Sequence, residues 1–389
     1  MGSTQHFQRV ISADSHIYEP GDLWWKALGQ RLGERTPRPL DVYQGQKGKF
    51  FYSGSQGCPA MRLREQNSPQ TEAAAVEAAA KGLAACGYDP AVRVSFQEQA
   101  GFAAEVLNPT SMLSILRNPD VEVVQACAEV FNDWEAEFIS HDPQRLIGVS
   151  VVPLHDIDWA VNELERTLHK GLVTPMLPCQ APQGCPPYRD SMYDRFWAAA
   201  SAAEAPITLH ILTGRVLDPL ILARTLQTPQ EGQDNPGLWI ELSNEIQLVL
   251  ANDFIFGGIL DRFPSLKIVC SEFELSWVPG FMARLDQIDV IAPRLHLPRL
   301  DLRASDYMRT RVWHGFIDDT ASVHSIPYVG ASQVLWGSDF PHTRSIGLDA
   351  QSTLAKQLAT LPRDQQEKVV GGNAAQVFNR NCKGTDHAT

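Results

Sequence analysis

The sequence predicts an α/β protein whose parallel strands close into a barrel, and three observations support this prediction. Short runs rich in Val, Ile and Leu alternate with amphipathic stretches almost from end to end, as expected for parallel strands covered on both faces. Eight such runs are present, which is the number of strands in a (β/α)8 TIM barrel. Carboxylates and histidines follow several of these runs, at the strand ends where such barrels carry their active sites.

The strand candidates are apolar without strict alternation of apolar and polar residues. They are Val10–Ala13, Ala103–Leu107, Leu146–Val152, Leu172–Leu177, Ile207–Ile211, Leu266–Ser271, Thr310–Phe316 and Val334–Trp336. Apolar residues recur at helical spacing in further stretches, namely Val121–Ser140, Ile157–His169, Ser191–Ala203 and Ala350–Thr360. A barrel with insertions reaches this chain length as one unit, so we expect residues 1–389 to form a single domain.

Two segments interrupt the regular alternation of strands and helices. Leu23–Gly101 follows the first strand and contains a β-like patch at Tyr43–Ser55 and an Ala/Glu-rich helix at Thr71–Ala85. Because a structureless loop of this length is unusual in a compact domain, we interpret residues 23–101 as a folded insertion over the barrel mouth. Val216–Arg262, between strands five and six, predicts two helices.

Composition and charge limit the possible partners. The net charge of −12 argues against nucleic acid or an anionic membrane as the main partner. No apolar run approaches the length that crosses a bilayer, and the N-terminus lacks the apolar region of a signal peptide. The seven cysteines form no CxxC pair and fit reduced thiols. We therefore expect a cytoplasmic protein that acts on a small molecule.

Acidic residues and histidines occupy five of the predicted strand ends. They are Asp14 and His16 after strand one, His210 on strand five, Glu272 after strand six, His314 on strand seven and Asp339 after strand eight. All strands of a parallel barrel end on the same face, so these side chains converge although they are distant in sequence. Asp14 and His16 are two residues apart and point the same way in extended backbone.

This set of side chains suits a divalent metal ion. Imidazole nitrogens and carboxylate oxygens bind Zn²⁺, Fe²⁺ or Mn²⁺, and the absence of a thiolate argues against a structural zinc. We expect Zn²⁺ to be favoured, and one or two ions are compatible with the pattern. Such an ion would lower the pKa of bound water, and a nearby carboxylate could take the proton. Each residue alone also has a structural explanation, since Asp339 could cap a helix and His210 could be a buried histidine.

Several further residues lie near these strand ends or in the insertion. A one-residue change of register decides whether His314 faces the mouth, where it would be catalytic, or a covering helix. His342 is expected to orient Asp339 or a loop rather than to bind the metal directly. Arg344 is either a clamp for a substrate carboxylate or phosphate, or a solvated residue. The aromatic residues of the insertion, Trp24, Trp25, Phe50, Phe51 and Tyr52, either line an apolar entrance or anchor the insertion to the barrel.

Longer motifs around these residues, spread from about residue 10 to residue 379, match a known family. They are Ser12–Pro20, Glu105–Thr110, Phe131–Trp134, Asp142–Leu146, Pro206–His210, Ser271-Glu272 with Trp277–Pro279, and Trp336–His342. In these motifs the chain resembles the amidohydrolase superfamily, in particular the amidohydrolase 2 branch with the aminocarboxymuconate-semialdehyde decarboxylase-like proteins. The resemblance implies a TIM barrel with a catalytic divalent metal. Asp14 and His16 match the strand-one ligands, His210 the strand-five ligand, and Asp339 the strand-eight ligand or base.

One departure from the family bears on the reaction. In the decarboxylases a His-x-Gly-type motif follows strand six and its histidine is a catalytic acid or base, whereas this chain has Ser271-Glu272-Phe273-Glu274. Glu272 could instead bind one metal ion or bridge two, as in two-metal hydrolases. We therefore expect a metal-dependent hydrolase, in which Asp339 deprotonates water that attacks a carbonyl of a bulky organic acid or acyl substrate. The bond cleaved would be an ester, thioester, amide, lactone or C–C bond.

The alternative is a metal-dependent, non-oxidative decarboxylase of an aromatic or enoic acid. Barrels of this superfamily often form dimers, so the resemblance also implies a homodimer.

Overall fold

The computed structural model describes residues 6–43, 45–55, 61–62, 73–213, 236–342 and 345–379. Arg344 lies outside these residues, as does the first part of the segment Val216–Arg262. The described remainder of that segment contains the helices Pro236–Val249 and Ile259–Arg262.

The strands form one large parallel sheet and one small antiparallel sheet. The strands are β1 (Val10–His16), β2 (Arg38–Tyr43), β3 (Gln46–Tyr52), β4 (Met61–Arg62), β5 (Phe102–Asn108), β6 (Leu146–Val151), β7 (Thr174–Leu177), β8 (Ile207–His210), β9 (Ile268–Ser271), β10 (Val312–Phe316) and β11 (Val334–Trp336). The eight-stranded sheet has the order β1-β5-β6-β7-β8-β9-β10-β11, which is chain order. All eight predicted strands are present, and the predicted (β/α)8 TIM barrel is confirmed.

Helices connect the strands. They are Leu23–Leu32, Ala73–Ala80, Pro90–Ala100, Ser111–Ile115, Val121–Ile139, Ile157–His169, Asp194–Ala202, Pro236–Val249, Ile259–Arg262, Val278–Ile291, Ala304–Thr310, Ser322–Val329, Ala350–Gln357, Arg363–Glu367 and Asn373–Val377. The helix Val121–Ile139 begins at the predicted residue, and a side-chain cap fixes its start: Asp120 accepts hydrogen bonds from the backbone N–H groups of Glu122 and Val123. No helix within the described residues is long and apolar enough to cross a membrane.

The barrel closes where the end of β1 meets the segment after β11. The N–H of Asp339 donates to the carbonyl of Asp14, and the N–H of His16 donates to the carbonyl of Phe340, both at 2.8 Å. Gly337 is required at this approach, because a Cβ there would lie 2.5 Å from the Cβ of Asp14. We call this contact between residues 12–16 and 337–340 the seam. It places the first and last candidate metal-binding segments side by side.

The barrel interior is filled by apolar side chains from one face of seven of the eight strands. The cluster includes Ile11, Val106, Ile147, Met176, Val269, Trp313 and Leu335. Because alternate residues of a strand point to opposite faces, a cluster of this composition is the barrel lumen. The polar strand ends therefore lie above a packed core.

The excursion between β1 and β5 packs against the flank of the barrel. Trp24 is fully buried, and its indole N–H donates to the carbonyl of Cys127 at 3.1 Å. The ring of Phe51 lies 5.6 Å from that of Trp24, so these two aromatic residues anchor the excursion. The helix Pro90–Ala100, within the predicted insertion, covers the barrel wall, and Phe96 stacks on Phe340 with ring centroids 4.0 Å apart. Coverage of the mouth by residues 23–101 stays a prediction.

Candidate metal centre

Four of the predicted residues lie together and are buried at the barrel mouth. The Nε2 atoms of His16 and His210 are 3.2 Å apart. Asp14 Oδ1 lies 3.6 Å from each of these nitrogens, and Asp339 Oδ1 lies 3.4 Å from Nε2 of His16. Three strand ends, those of β1, β8 and β11, therefore deliver two nitrogens and two carboxylates to one place.

Backbone carbonyls fix the orientation of both imidazoles. Nδ1 of His16 lies 2.8 Å from the carbonyl oxygen of Pro109, and Nδ1 of His210 lies 2.8 Å from that of Ile211. A carbonyl oxygen only accepts, so each Nδ1 carries the proton and Nε2 faces the other ring. Two lone pairs this close repel each other unless a proton or a metal ion lies between them. The arrangement is the one in which histidines bind metal.

The hydrogen bonds of Asp14 indicate whether a cation fits between these side chains. Its Oδ1 accepts a hydrogen bond from Asn108 Nδ2 at 2.7 Å. Its Oδ2 is buried and has no hydrogen-bond partner among the described residues. A buried carboxylate oxygen without a partner is costly unless a cation compensates it. The residues present therefore fit a bound metal ion.

The two histidines differ in their affinity for a proton. Burial opposes the charged form of His210, but the carboxylates of Asp14 and Glu272 and the carbonyl of Ile211 together outweigh burial and raise the pKa of His210 to about 9. Burial, followed by the charges of His342 and His210, holds the pKa of His16 well below its usual value. Without a metal, the pair therefore holds one proton in addition to those on the two Nδ1 atoms, and this proton lies on His210. A divalent cation would take the place of that proton.

Glu272 lies at the rim of this cluster. Its Oε2 is 3.6 Å from Nε2 of His210, and 22% of its side chain is exposed. It belongs with His16, Asp339 and His342 to a group whose possible ligand atoms lie within 4.8 Å of one another. The backbone φ angles of Glu272 and Asp339 are 64° and 51°, a left-handed conformation that non-glycine residues rarely adopt. Both carboxylates thus extend from strand ends with unusual backbone geometry.

The environment favours the protonated form of both carboxyl groups. Burial, with the charge of Asp339 next, raises the pKa of Glu272 well above its ordinary value. Burial also raises the pKa of Asp339, against a hydrogen bond from His342 Nδ1 at 3.0 Å. The ring of His342 lies 3.9 Å from that of His16. His342 therefore contacts both Asp339 and His16, as expected of a residue that orients them.

His314 does not join the cluster, which corrects the prediction of a catalytic role. Its Nε2–H donates to the carbonyl of Met308 at 3.2 Å, so its ring faces the helix Ala304–Thr310. The preceding residue, Trp313, belongs to the barrel lumen. Burial lowers the pKa of His314 to about 4. In strand β10, Trp313 therefore faces the barrel interior and His314 faces outward, whereas a catalytic role would require His314 to face inward.

Sequence analysis missed two features of the site. Asn108, at the end of β5, holds Asp14. Arg93 and Glu105 form a fully buried ion pair behind the seam. The sequence did indicate the ion pair, because Glu105 lies within the apolar strand Phe102–Asn108 and a buried carboxylate needs a partner.

Comparison with known proteins identifies similar sequences and folds. The sequence model of the family described as Amidohydrolase matches residues 88–380. A γ-resorcylate decarboxylase from Polaromonas sp. is 23% identical over 268 residues, which cover 64% of this chain and 75% of the relative.

Two solved structures have the same fold. An amidohydrolase from Mycobacterium avium subsp. paratuberculosis has a TM-score of 0.75 at 20% identity, covering 95% of this chain and 97% of that one. A dihydroxybenzoic acid decarboxylase from Polaromonas sp. has a TM-score of 0.63 at 19% identity, covering 95% and 97%. That structure contains manganese and the inhibitor 2-nitroresorcinol.

Proposed function

Because the chain belongs to the amidohydrolase family, we propose that it is a divalent-metal-dependent, non-oxidative decarboxylase of a hydroxylated aromatic acid. The observation that carries the proposal is the pair of facing histidine nitrogens, His16 and His210, 3.2 Å apart at the barrel mouth. The relative that matches over 268 residues is a γ-resorcylate decarboxylase. These relatives support the alternative of the sequence analysis better than its first choice, hydrolysis.

We assign the metal site to Asp14, His16, His210 and Asp339, with Glu272 as a further ligand or a proton carrier. When bound, the ion would neutralise negative charge on the carboxylate and phenolate oxygens of the substrate. A related structure contains manganese, so Mn²⁺ is the first ion to test, and the preference for Zn²⁺ is no longer supported. The carbonyls of Pro109 and Ile211 keep the histidine nitrogens turned toward the ion.

The chain must also supply a proton. Loss of CO₂ breaks the bond between the ring and the carboxylate and leaves the electron pair on the ring carbon, which then takes a proton. We assign this proton to the carboxyl group of Glu272, which lies at the rim, where it can be reprotonated from solvent. Asp339 lies deeper, and its hydrogen bond from His342 holds it beside His16.

Hydrolysis is a second candidate, and the position of Glu272 favours it. A carboxylate 3.6 Å from a ligand nitrogen is also suited to act as a base toward water. The two candidates differ in their products, because decarboxylation releases CO₂ and hydrolysis of an acyl ester releases an acid and an alcohol.

The test is product analysis with Mn²⁺-loaded and Zn²⁺-loaded protein. We expect CO₂ release from γ-resorcylate or a related hydroxybenzoate, and its loss in the His210→Ala variant. Hydrolysis of acyl esters with no CO₂ from any hydroxybenzoate would overturn the proposal in favour of the second candidate. The expected homodimer stays a prediction, to be checked by light scattering after size-exclusion chromatography.

A further inference from the structure

Behind the candidate metal centre, Arg93 and Glu105 form an ion pair with no exposed side-chain surface. Arg93 Nε donates to Glu105 Oε2 at 2.7 Å, and Nη2 donates to Oε1 at 2.9 Å. The carboxylate accepts two more hydrogen bonds, from Gln97 Nε2 at 3.0 Å and from the Ser15 hydroxyl at 2.8 Å. Glu105 is therefore fully satisfied, and one of its partners is the residue next to His16.

The remaining N–H groups of Arg93 reach three backbone carbonyls. Nη1 donates to the carbonyl of His16 at 2.9 Å and to that of Cys86 at 3.5 Å. Nη2 also donates to the carbonyl of Phe340 at 3.5 Å, and that carbonyl accepts the N–H of His16 at 2.8 Å. All five N–H groups of the guanidinium thus have an acceptor. Two of the acceptors lie on opposite sides of the seam, at His16 and directly after Asp339.

Stability is a weak explanation for this pair. Taking two charges out of water is expensive, and apolar residues of similar size often give an equal or greater free energy of unfolding. A rigid planar fork, by contrast, holds several acceptors at fixed positions, which a lysine cannot do. The rings of Phe96 and Phe340 lie 5.6 Å and 5.4 Å from the guanidinium carbon and confine it further. The geometry therefore favours a role in positioning.

We propose that Arg93, held by Glu105, is a positioning residue that sets the spacing between His16 and Asp339. These two residues come from the first and last strands of the barrel, and their facing atoms are 3.4 Å apart. The Ser12 hydroxyl also joins the two segments, because it accepts the N–H of Ser338 at 2.8 Å and donates to the carbonyl of Asp14 at 2.9 Å, but Arg93 is the charged side chain that contacts the backbone of His16 and of Phe340. The inference rests on the metal site proposed above. It predicts that removal of the pair weakens and distorts metal binding while the barrel still folds.

The experiment measures Mn²⁺ binding to the full-length protein by electron paramagnetic resonance. Arg93→Lys keeps the charge but loses the fork, and the double variant Arg93→Met/Glu105→Leu removes the pair without leaving an unpaired charge. For both we expect a dissociation constant about 10–100-fold higher, the usual effect of losing a residue that orients a metal ligand. The spectrum of the bound ion should also change, whereas circular dichroism and cooperative unfolding should be retained.

A second ion pair provides the matched control. Glu163 is 4% exposed and Arg166 34% exposed, and Glu163 also accepts a hydrogen bond from Asn132. This pair lies on the helix Ile157–His169, outside the barrel. The exchange Arg166→Met/Glu163→Leu should leave the Mn²⁺ dissociation constant and spectrum unchanged.

Each outcome decides the inference. If wild type binds Mn²⁺ and the folded Arg93 variants bind it equally well with the same spectrum, the positioning role is overturned and the proposed function stands. If wild type binds no Mn²⁺, the proposed function fails first and this inference fails with it. Should the Arg93 variants not fold, Gln97→Met removes one hydrogen bond from Glu105 at a residue outside the seam. We expect a dissociation constant several-fold higher in this variant, and an unchanged value would overturn the role.

Discussion

The seam and the attachment of the helix Leu23–Leu32 hold their segments in different ways. At the seam, buried hydrogen bonds of 2.8 Å join residues 14 and 16 to residues 339 and 340. The helix is attached mainly through the buried ring of Trp24, with one indole hydrogen bond to the carbonyl of Cys127, and the turn after it through exposed ion pairs of Arg35 with Asp120 and Glu122. Directional buried contacts fix positions closely, whereas apolar burial and screened charges tolerate small shifts. Changes at the seam should therefore alter chemistry, and changes at the attachment should alter stability.

The largest effect on the seam side is expected from His16→Ala and His210→Ala. Each variant lacks a nitrogen that faces the proposed ion. Loss of a residue that only orients a metal ligand lowers affinity by about 10–100-fold, so loss of the ligand itself should lower Mn²⁺ affinity further. Elemental analysis after dialysis measures the metal content. Full occupancy in both variants would place the metal elsewhere.

Asp339→Asn should separate chemistry from stability. The amide is nearly isosteric but is a poor metal ligand, so kcat should fall by more than about 100-fold, since the loss of a residue that only orients a ligand already costs about 10–100-fold. The free energy of unfolding should change by less than about 1 kcal/mol, because Asn can still occupy the position beside His342. Steady-state kinetics and urea unfolding measure the two quantities. A parallel loss of both would mean that Asp339 serves only as a structural cap.

On the attachment side, Trp24→Ala should lower stability without changing metal binding. Trp24 is fully buried, and truncation of such a residue costs about 3–5 kcal/mol. Urea unfolding measures the loss. A Mn²⁺ dissociation constant that rises tenfold in the folded variant would show that the attachment also positions the site.

The smallest effect, and the one most dependent on pH, is expected from Arg35→Ala. Arg35 lowers the pKa of Glu122 through a hydrogen bond at 2.9 Å. A carboxylate whose pKa is lower in the folded state than in the unfolded state stabilises the fold fully at pH values above its unfolded pKa of about 4.3. This stabilisation is lost as the pH falls through the folded pKa. The variant should therefore melt about 1 °C or less below wild type at pH 7, and the difference should vanish at lower pH. A difference that grows in acid would contradict this account.

The sequence predicted the barrel because strands covered on both faces leave continuous apolar runs, and it predicted the meeting of Asp14, His16 and His210 because parallel strands end together. It left the orientation of His314 open, and so could not exclude the catalytic role, because a continuous apolar run carries no information about which face a residue takes. The contacts of Arg93 with the seam could not be predicted, since its acceptors at His16 and Phe340 are backbone carbonyls, which leave no trace in the sequence.

The most direct test of the account is anomalous diffraction from crystals grown with Mn²⁺. We expect one strong peak bounded by Asp14, His16, His210 and Asp339, and no peak there in the His16→Ala variant. A Mn²⁺ peak at any other position, with the space between His16 and His210 empty, would contradict the proposed metal centre.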